Sequence, residues 1–280
     1  MTLIDELFDI EREAYKKSTV HALDARVKLV LCLAGLLATV LLPFTGSDAG
    51  IVPWKQIFAF AVIFLLFIAL YVMSGASLRY YLVRMVVILP LALFFIILQP
   101  FFTNPYFTVY HVLFSIGPVH VYLESIVFGV SLFLKFIISL SFIILLSATT
   151  TMQDLVIGAS RMYVPRIFTT AMTLTIRYIF VFARIFMKMQ SAFSARCFYH
   201  AGRGLPLSYR LTTIGNAAGT LFVRALDQGE RTYLAMCCRG YGDESGMFVE
   251  KKPLSGYEWL FLAGGIVYLI FFPVSIYLLF

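Results

Sequence analysis

Apolar residues run through this chain in blocks long enough to cross a bilayer, and polar stretches mark where it turns. The blocks cover residues 27–44, 56–73, 85–102, 125–148 and 259–280. A bilayer core takes about 20 residues of helix, so each block predicts a transmembrane helix. Pro90 and Pro100 predict a kink within the third and its end. Ahead of the first block, residues 1–26 carry Leu3, Ile4, Leu7, Phe8 and Ile10 on one crude apolar side, with acidic residues around them. That pattern predicts an amphipathic helix lying on the membrane. The stretch 103–124 contains Pro105, His111, Pro118 and His120 but no Lys or Arg. Its short alternating runs predict an external hairpin or a half-inserted loop.

Residues 165–241 break the pattern, being helix-compatible but too basic for an ordinary span. Arg177 lies at the centre of the apolar run 167–186, Arg184 near its end and Lys188 just after it. A basic residue at the bilayer centre costs about 2.5–3.5 kcal/mol, so the C-terminal part of this helix is expected to tilt into the cytosol. Pro165 suits a first helical turn, Gly202-Arg-Gly-Leu-Pro206 ends one helix and starts another, and Gly240-Tyr-Gly ends the second. A shorter helix near 151–162 precedes them. Within the second long helix, Gly215 and Gly219 are small residues one turn apart that permit close approach of another helix. The predicted class is an all-α integral membrane protein with about five transmembrane helices and a cytoplasmic arm of two long crossed helices. Its expected parts are an interfacial helix over 1–26, spans over 27–148, the cytoplasmic region over 149–258 and a last span over 259–280.

Composition agrees with the membrane reading: 61% of the 280 residues are hydrophobic and 13% charged, far from the balance of a soluble domain. The net charge is +7, and thirteen of the 22 Lys and Arg lie between residues 149 and 258. Basic residues also precede the first span and separate the second from the third. The positive-inside rule therefore places the N-terminus in the cytoplasm and, with five spans, the C-terminus outside. The basic charges alternate with bulky apolar residues, which suits lipid headgroups or an acidic protein partner rather than nucleic acid. Cys32, Cys197, Cys237 and Cys238 form no Cys-x-x-Cys pair, so neither a disulfide framework nor a zinc site is expected.

Candidate chemistry is sparse. There is no Gly-x-x-x-x-Gly-Lys-Ser/Thr run to cradle a phosphate, and no span holds a pair of acids, so no catalytic residue is expected. Two echoes of one pattern stand out, Ala192-Phe-Ser-Ala-Arg196 and Ala235-Met-Cys-Cys-Arg239. Each Arg falls near a predicted helix end, where a guanidinium can fork onto a partner carboxylate. The plainer reading is a solvated side chain or a cap on its own helix. Lys135, mid-way along the fourth span, is either a functional intramembrane charge or a partner for a backbone carbonyl. His111 and His120 read as ordinary loop histidines, and His21 and His200 lack a ligand spacing.

At these residues the chain resembles the CbiQ family, the transmembrane T component of energy-coupling-factor transporters in its cobalt/nickel branch. The likeness rests on Ser18-Thr-Val-His21-Ala-Leu-Asp24-Ala-Arg26-Val-Lys28-Leu, where the family usually has Leu-Asp-Pro-Arg-x-Lys-Leu. It rests further on Thr149-Thr-Thr, Met162-Tyr-Val-Pro165 and, most specifically, Leu226-Asp-Gln-Gly-Glu-Arg-Thr-Tyr-Leu-Ala-Met-Cys-Cys-Arg239-Gly240-Tyr241. The resemblance implies an L-shaped, non-catalytic permease subunit of the cell membrane. Its two coupling helices would end in Arg motifs that dock on two ATP-binding cassette ATPase subunits. Those motifs would be Ala195-Arg196-Cys197 and Cys238-Arg239-Gly240; the first departs from the commoner Ala-Arg-Gly at Cys197. ATP and magnesium would belong to the ATPases. Cobalt or nickel would belong to a separate CbiM-like substrate-binding membrane subunit, and a small CbiN-like subunit is a further candidate partner. The alternatives are the T component of a vitamin importer and a non-transport membrane scaffold.

Overall fold

The computed structural model describes residues 18–42, 54–102, 112–116, 119–162, 164–196, 206–241 and 253–279. In chain order its helices are α1 (Ala25–Leu41), α2 (Trp54–Ser74), α3 (Leu78–Leu98), α4 (Leu123–Thr149), α5 (Met152–Ser160), α6 (Arg166–Ala195), α7 (Leu207–Cys238) and α8 (Gly256–Leu279). The class is all-α, as expected, with one small addition. Strands β1 (Val112–Ile116) and β2 (Val119–Tyr122) pair antiparallel, Ser115 opposite His120, in the stretch whose pattern predicts a hairpin or half-inserted loop. Of the interfacial helix predicted over 1–26, residues 1–17 lie outside the described residues, as do His111, Cys197 and His200, while 18–24 form turns that lead into α1 rather than helix. The chain divides into two compact units, one drawn from Met1–Gly158 with Lys252–Phe280 and the other from Ala159–Lys251.

In the first unit, α1 and α4 run antiparallel and are pinned along their length. At one end Lys28 Nζ donates to the Thr149 carbonyl at 3.0 Å. Further along, Gly35 makes room for the Phe142 ring, whose Cε1 would lie 2.7 Å from a Cβ placed there. Beyond that, the Thr39 and Ser139 hydroxyls meet at 2.7 Å. Inside a bilayer, water exclusion does not drive helices together, so close packing of small residues and interhelical hydrogen bonds must do it. The other helices follow the same logic. Tyr81 of α3 bonds the Ser141 hydroxyl at 2.8 Å, and Tyr268 of α8 donates to the Val62 carbonyl at 3.0 Å. Phe67 of α2 meets Phe142 edge-on, with centroids 5.9 Å apart, and also touches Tyr71 and Tyr81.

Two helices differ in extent from expectation. Helix α1 stops at Leu41, short of 44, because Leu42 adopts an extended backbone (ψ 118°) ahead of Pro43. A residue before proline avoids the helical region. Helix α3 starts at Leu78 rather than 85, taking Arg79 and Arg84 into its first turns. Arg84 then stacks on Tyr80 at 4.3 Å and donates to the Ser147 hydroxyl at 2.6 Å.

By length and composition, four helical stretches can cross a membrane: Lys55–Ser74, Leu78–Phe101, Glu124–Thr149 and Ile167–Ala195. The chain is a multi-pass membrane protein. The fourth stretch overlaps the run 167–186, whose charges argue for a tilt out of the bilayer, whereas α1, with 17 residues, is shorter than these four.

The second unit is built on α6 and α7, which touch through a hydrogen bond between the Tyr178 and Thr232 hydroxyls. Helix α7 runs 32 residues without one buried residue. Gly215 and Gly219 lie away from this contact. A Cβ at either would meet nothing within 4 Å, so no described helix of this chain packs on them, and the contact falls near Thr232 instead.

Candidate functional site

Both Arg motifs sit at helix C-termini in one local geometry. Arg196 follows the last residue of α6 with φ −87° and ψ 14°, and Arg239 follows α7 with φ −92° and ψ 9°. The second end is a complete Schellman closure. Gly240 takes the left-handed φ of 80°, its N–H donates to the Cys237 carbonyl, and the Tyr241 N–H donates to the Met236 carbonyl, each at 3.0 Å. That conformation suits glycine, which explains Gly after Arg in this motif. Cys238 is an exposed free thiol beside it. Ala195, Arg196 and Arg239 are exposed, and neither guanidinium has a hydrogen-bond or ion-pair partner among the described residues. The positions do not coincide with the helix contact. About 27 Å of helix separates Tyr178 from Arg196, and about 10 Å separates Thr232 from Arg239.

Lys135 has a different role. Its ammonium donates to the Leu42 carbonyl at 2.6 Å and to the Val40 carbonyl at 3.3 Å. Those carbonyls close α1, and a cation there meets the negative end of the helix dipole. Of the two readings of this residue, the geometry is that of a carbonyl partner.

A second polar assembly gathers at the other end of α1, and the sequence shows its members only as a motif. Asp24 caps α1, its Oδ1 accepting the Arg26 N–H at 3.0 Å. The Asp24 N–H donates to Glu258 Oε1 at 2.9 Å, while Glu258 Oε2 accepts the Ser255 N–H at 2.9 Å and so caps α8. Lys28, only 7% exposed, donates to the carbonyls of His21 at 2.9 Å and Thr149 at 3.0 Å. His21 Nε2 lies 3.3 Å from the Ala148 carbonyl, and because a carbonyl only accepts, that nitrogen carries the proton. Thr151 and Asp154 then cap α5: the Asp154 N–H donates to Thr151 Oγ1 at 3.1 Å, and the Thr151 hydroxyl donates to Asp154 Oδ2 at 2.7 Å. Four helix ends thus share one node, with a side chain assigned to each. The available signal was the Ser255-Gly-Tyr-Glu258 capping box and the lysine placed one turn into α1.

No group of three or more His, Cys, Asp or Glu suited to a metal is found among the described residues. The sequence model of the CbiQ family, described as cobalt transport protein, matches residues 16–248. The chain belongs to the CbiQ family. The matched range takes in Asp24, Lys28, Asp154, Lys135 and both Arg motifs. The chain is also 27% identical over 121 residues to an uncharacterized protein of Methanocaldococcus jannaschii. That match covers 43% of this chain and 40% of the relative, so the chain spans less than half of the relative's length.

Proposed function

We propose that this chain is the coupling subunit of an ATP-driven, energy-coupling-factor importer for divalent cobalt or nickel. It catalyses nothing itself: partner ATPases hydrolyse ATP, and a separate membrane subunit holds the metal substrate. The observation that carries the reading is the pair of exposed helices, each ending at an Arg with no partner among the described residues. Helices of 30 and 32 residues are rods of about 45 and 48 Å. A guanidinium at the tip of each can take a bidentate grip on a carboxylate, and a stiff rod conveys what its tip is made to do. Helix α7 has no buried residue, and most helical stability comes from packing, so a partner along its length fits the same reading. Residues 149–258 are then cytoplasmic, the N-terminus is on the same side, and the protein resides in the cell membrane.

The test is charge reversal at both tips, Arg196→Glu with Arg239→Glu. The expected result is an inserted chain that no longer co-purifies with an ATPase and supports no ATP-driven metal uptake. Normal uptake by the double variant would overturn the reading.

A further inference from the structure

We propose that the node of Asp24, Lys28, Thr149, Asp154 and Glu258 is the fulcrum through which the membrane helices are moved, and that Lys28 is its positioning residue. The inference rests on the coupling reading, and it adds where within the membrane unit the motion is received.

Three observations carry it. First, the chain passes between its two units only at Gly158–Ala159 and Lys251–Lys252, and both passages lead into this node. On one side α5 begins at the Thr151–Asp154 box, and near its end Gly158 packs against Ala25, where a Cβ would lie 3.1 Å from the Ala25 Cβ. On the other, α8 begins at Ser255 with Glu258 bonded to Asp24. Any displacement carried along the backbone from the second unit reaches the bilayer helices here.

Second, the node joins helix ends rather than helix faces. Lys28 and His21 close the C-terminus of α4, Asp24 opens α1, Thr151 opens α5 and Glu258 opens α8. Bonds at helix ends let each rod swing about its end while its internal hydrogen bonds stay intact. Bonds along faces, such as Thr39 with Ser139, lock α1 to α4 instead, so those two move as one body and the swing falls to α5 and α8.

Third, the charge arrangement suits a pivot. A single ammonium bridges His21, which leads into α1, and Thr149, the last residue of α4. An ammonium has three rotatable donors and keeps both carbonyls at the end of the locked α1–α4 pair while α5 and α8 change angle beside it. The buried charge stays compensated by Asp154 and Asp24, which lie in its field.

The test uses the assembled transporter in proteoliposomes, with substrate uptake, ATP hydrolysis and subunit co-purification measured on the same preparation. Lys28→Met keeps the aliphatic stem and removes the donors. The expected result is an ATPase that stays bound and active while uptake per ATP falls about fivefold or more, with Lys28→Arg restoring most of the ratio. A merely structural role would lower yield, hydrolysis and uptake together and leave the ratio unchanged, which would overturn the proposal. Should Lys28→Met fail to insert, Glu258→Gln gives the same decision, because one amide oxygen cannot accept from both Asp24 and Ser255. If the unmodified chain binds no ATPase at all, it is the coupling reading that fails; if only the ratio is unmoved, the fulcrum fails alone.

Discussion

The Lys135 ammonium sits 2.6 Å from the Leu42 carbonyl and closes α1 beside the middle of α4. About 18 Å of α4 lies on the far side of that point, so the end of α1 falls inside the thickness of the bilayer rather than at its surface. No lipid can satisfy those carbonyls. Lys135→Met is expected to destabilise the protein by about 1–3 kcal/mol, read as a lower melting temperature in detergent, with Lys135→Arg losing less. Identical melting curves would mean that water reaches the end of α1.

Gly35 makes a second prediction. A Cβ there would stand 2.7–2.9 Å from three atoms of the Phe142 ring, too close for a real contact. Gly35→Val should cost about 1–3 kcal/mol by forcing α1 and α4 apart. Adding Phe142→Leu should return part of the loss, and a double-mutant cycle measures how much.

At the tip of α7, Gly240 holds a φ of 80° that a branched side chain resists. Gly240→Val is expected to cost about 1–2 kcal/mol of local strain and to re-aim Arg239, weakening ATPase binding about tenfold. Gly240→Asn, which tolerates this region, should bind nearly as the unmodified chain does. Equal binding by the Val variant would show that the Schellman turn does not orient Arg239.

The side of the membrane on which α6 ends can be read by thiol labelling. In a chain with Cys32, Cys197, Cys237 and Cys238 changed to Ser, Phe186→Cys is expected to react with a membrane-impermeant maleimide from the cytoplasmic face. Phe64→Cys in α2 should stay protected. Protection of Phe186→Cys from both faces would make Ile167–Ala195 a true span and move α8 to the opposite orientation.

These relationships are unequally visible in the sequence. The spans in α2 and α4 are legible because a nearly uncharged apolar run of that length matches the thickness of a bilayer core. The helix end at Arg239 is legible because Gly240 follows it, whereas the helix that ends at Ala195 stops ahead of the Gly202-Arg-Gly-Leu-Pro206 signal. The end of α1 is marked by Pro43, but the lysine that caps Leu42 from 93 positions away is not visible in the pattern. Periodicity also cannot reveal that Glu258 serves α1 and α8 at once. At Gly215 and Gly219 a small-residue pair is visible in the sequence, and nothing among the described residues lies against it. Arg177 argues as a charge at the bilayer centre, while length and hydropathy over Ile167–Ala195 argue the other way.

The bond from the Asp24 N–H to Glu258 spans 234 positions, and that distance is also an interval of time. A ribosome adding about 5–20 residues per second needs roughly 12–47 s to travel from one partner to the other. For that interval α1 is already made while its N-cap residue still lacks the carboxylate it will share with α8. A chain halted anywhere in between exposes an unfinished helix start to quality-control proteases, whereas a chain that reaches Glu258 closes it.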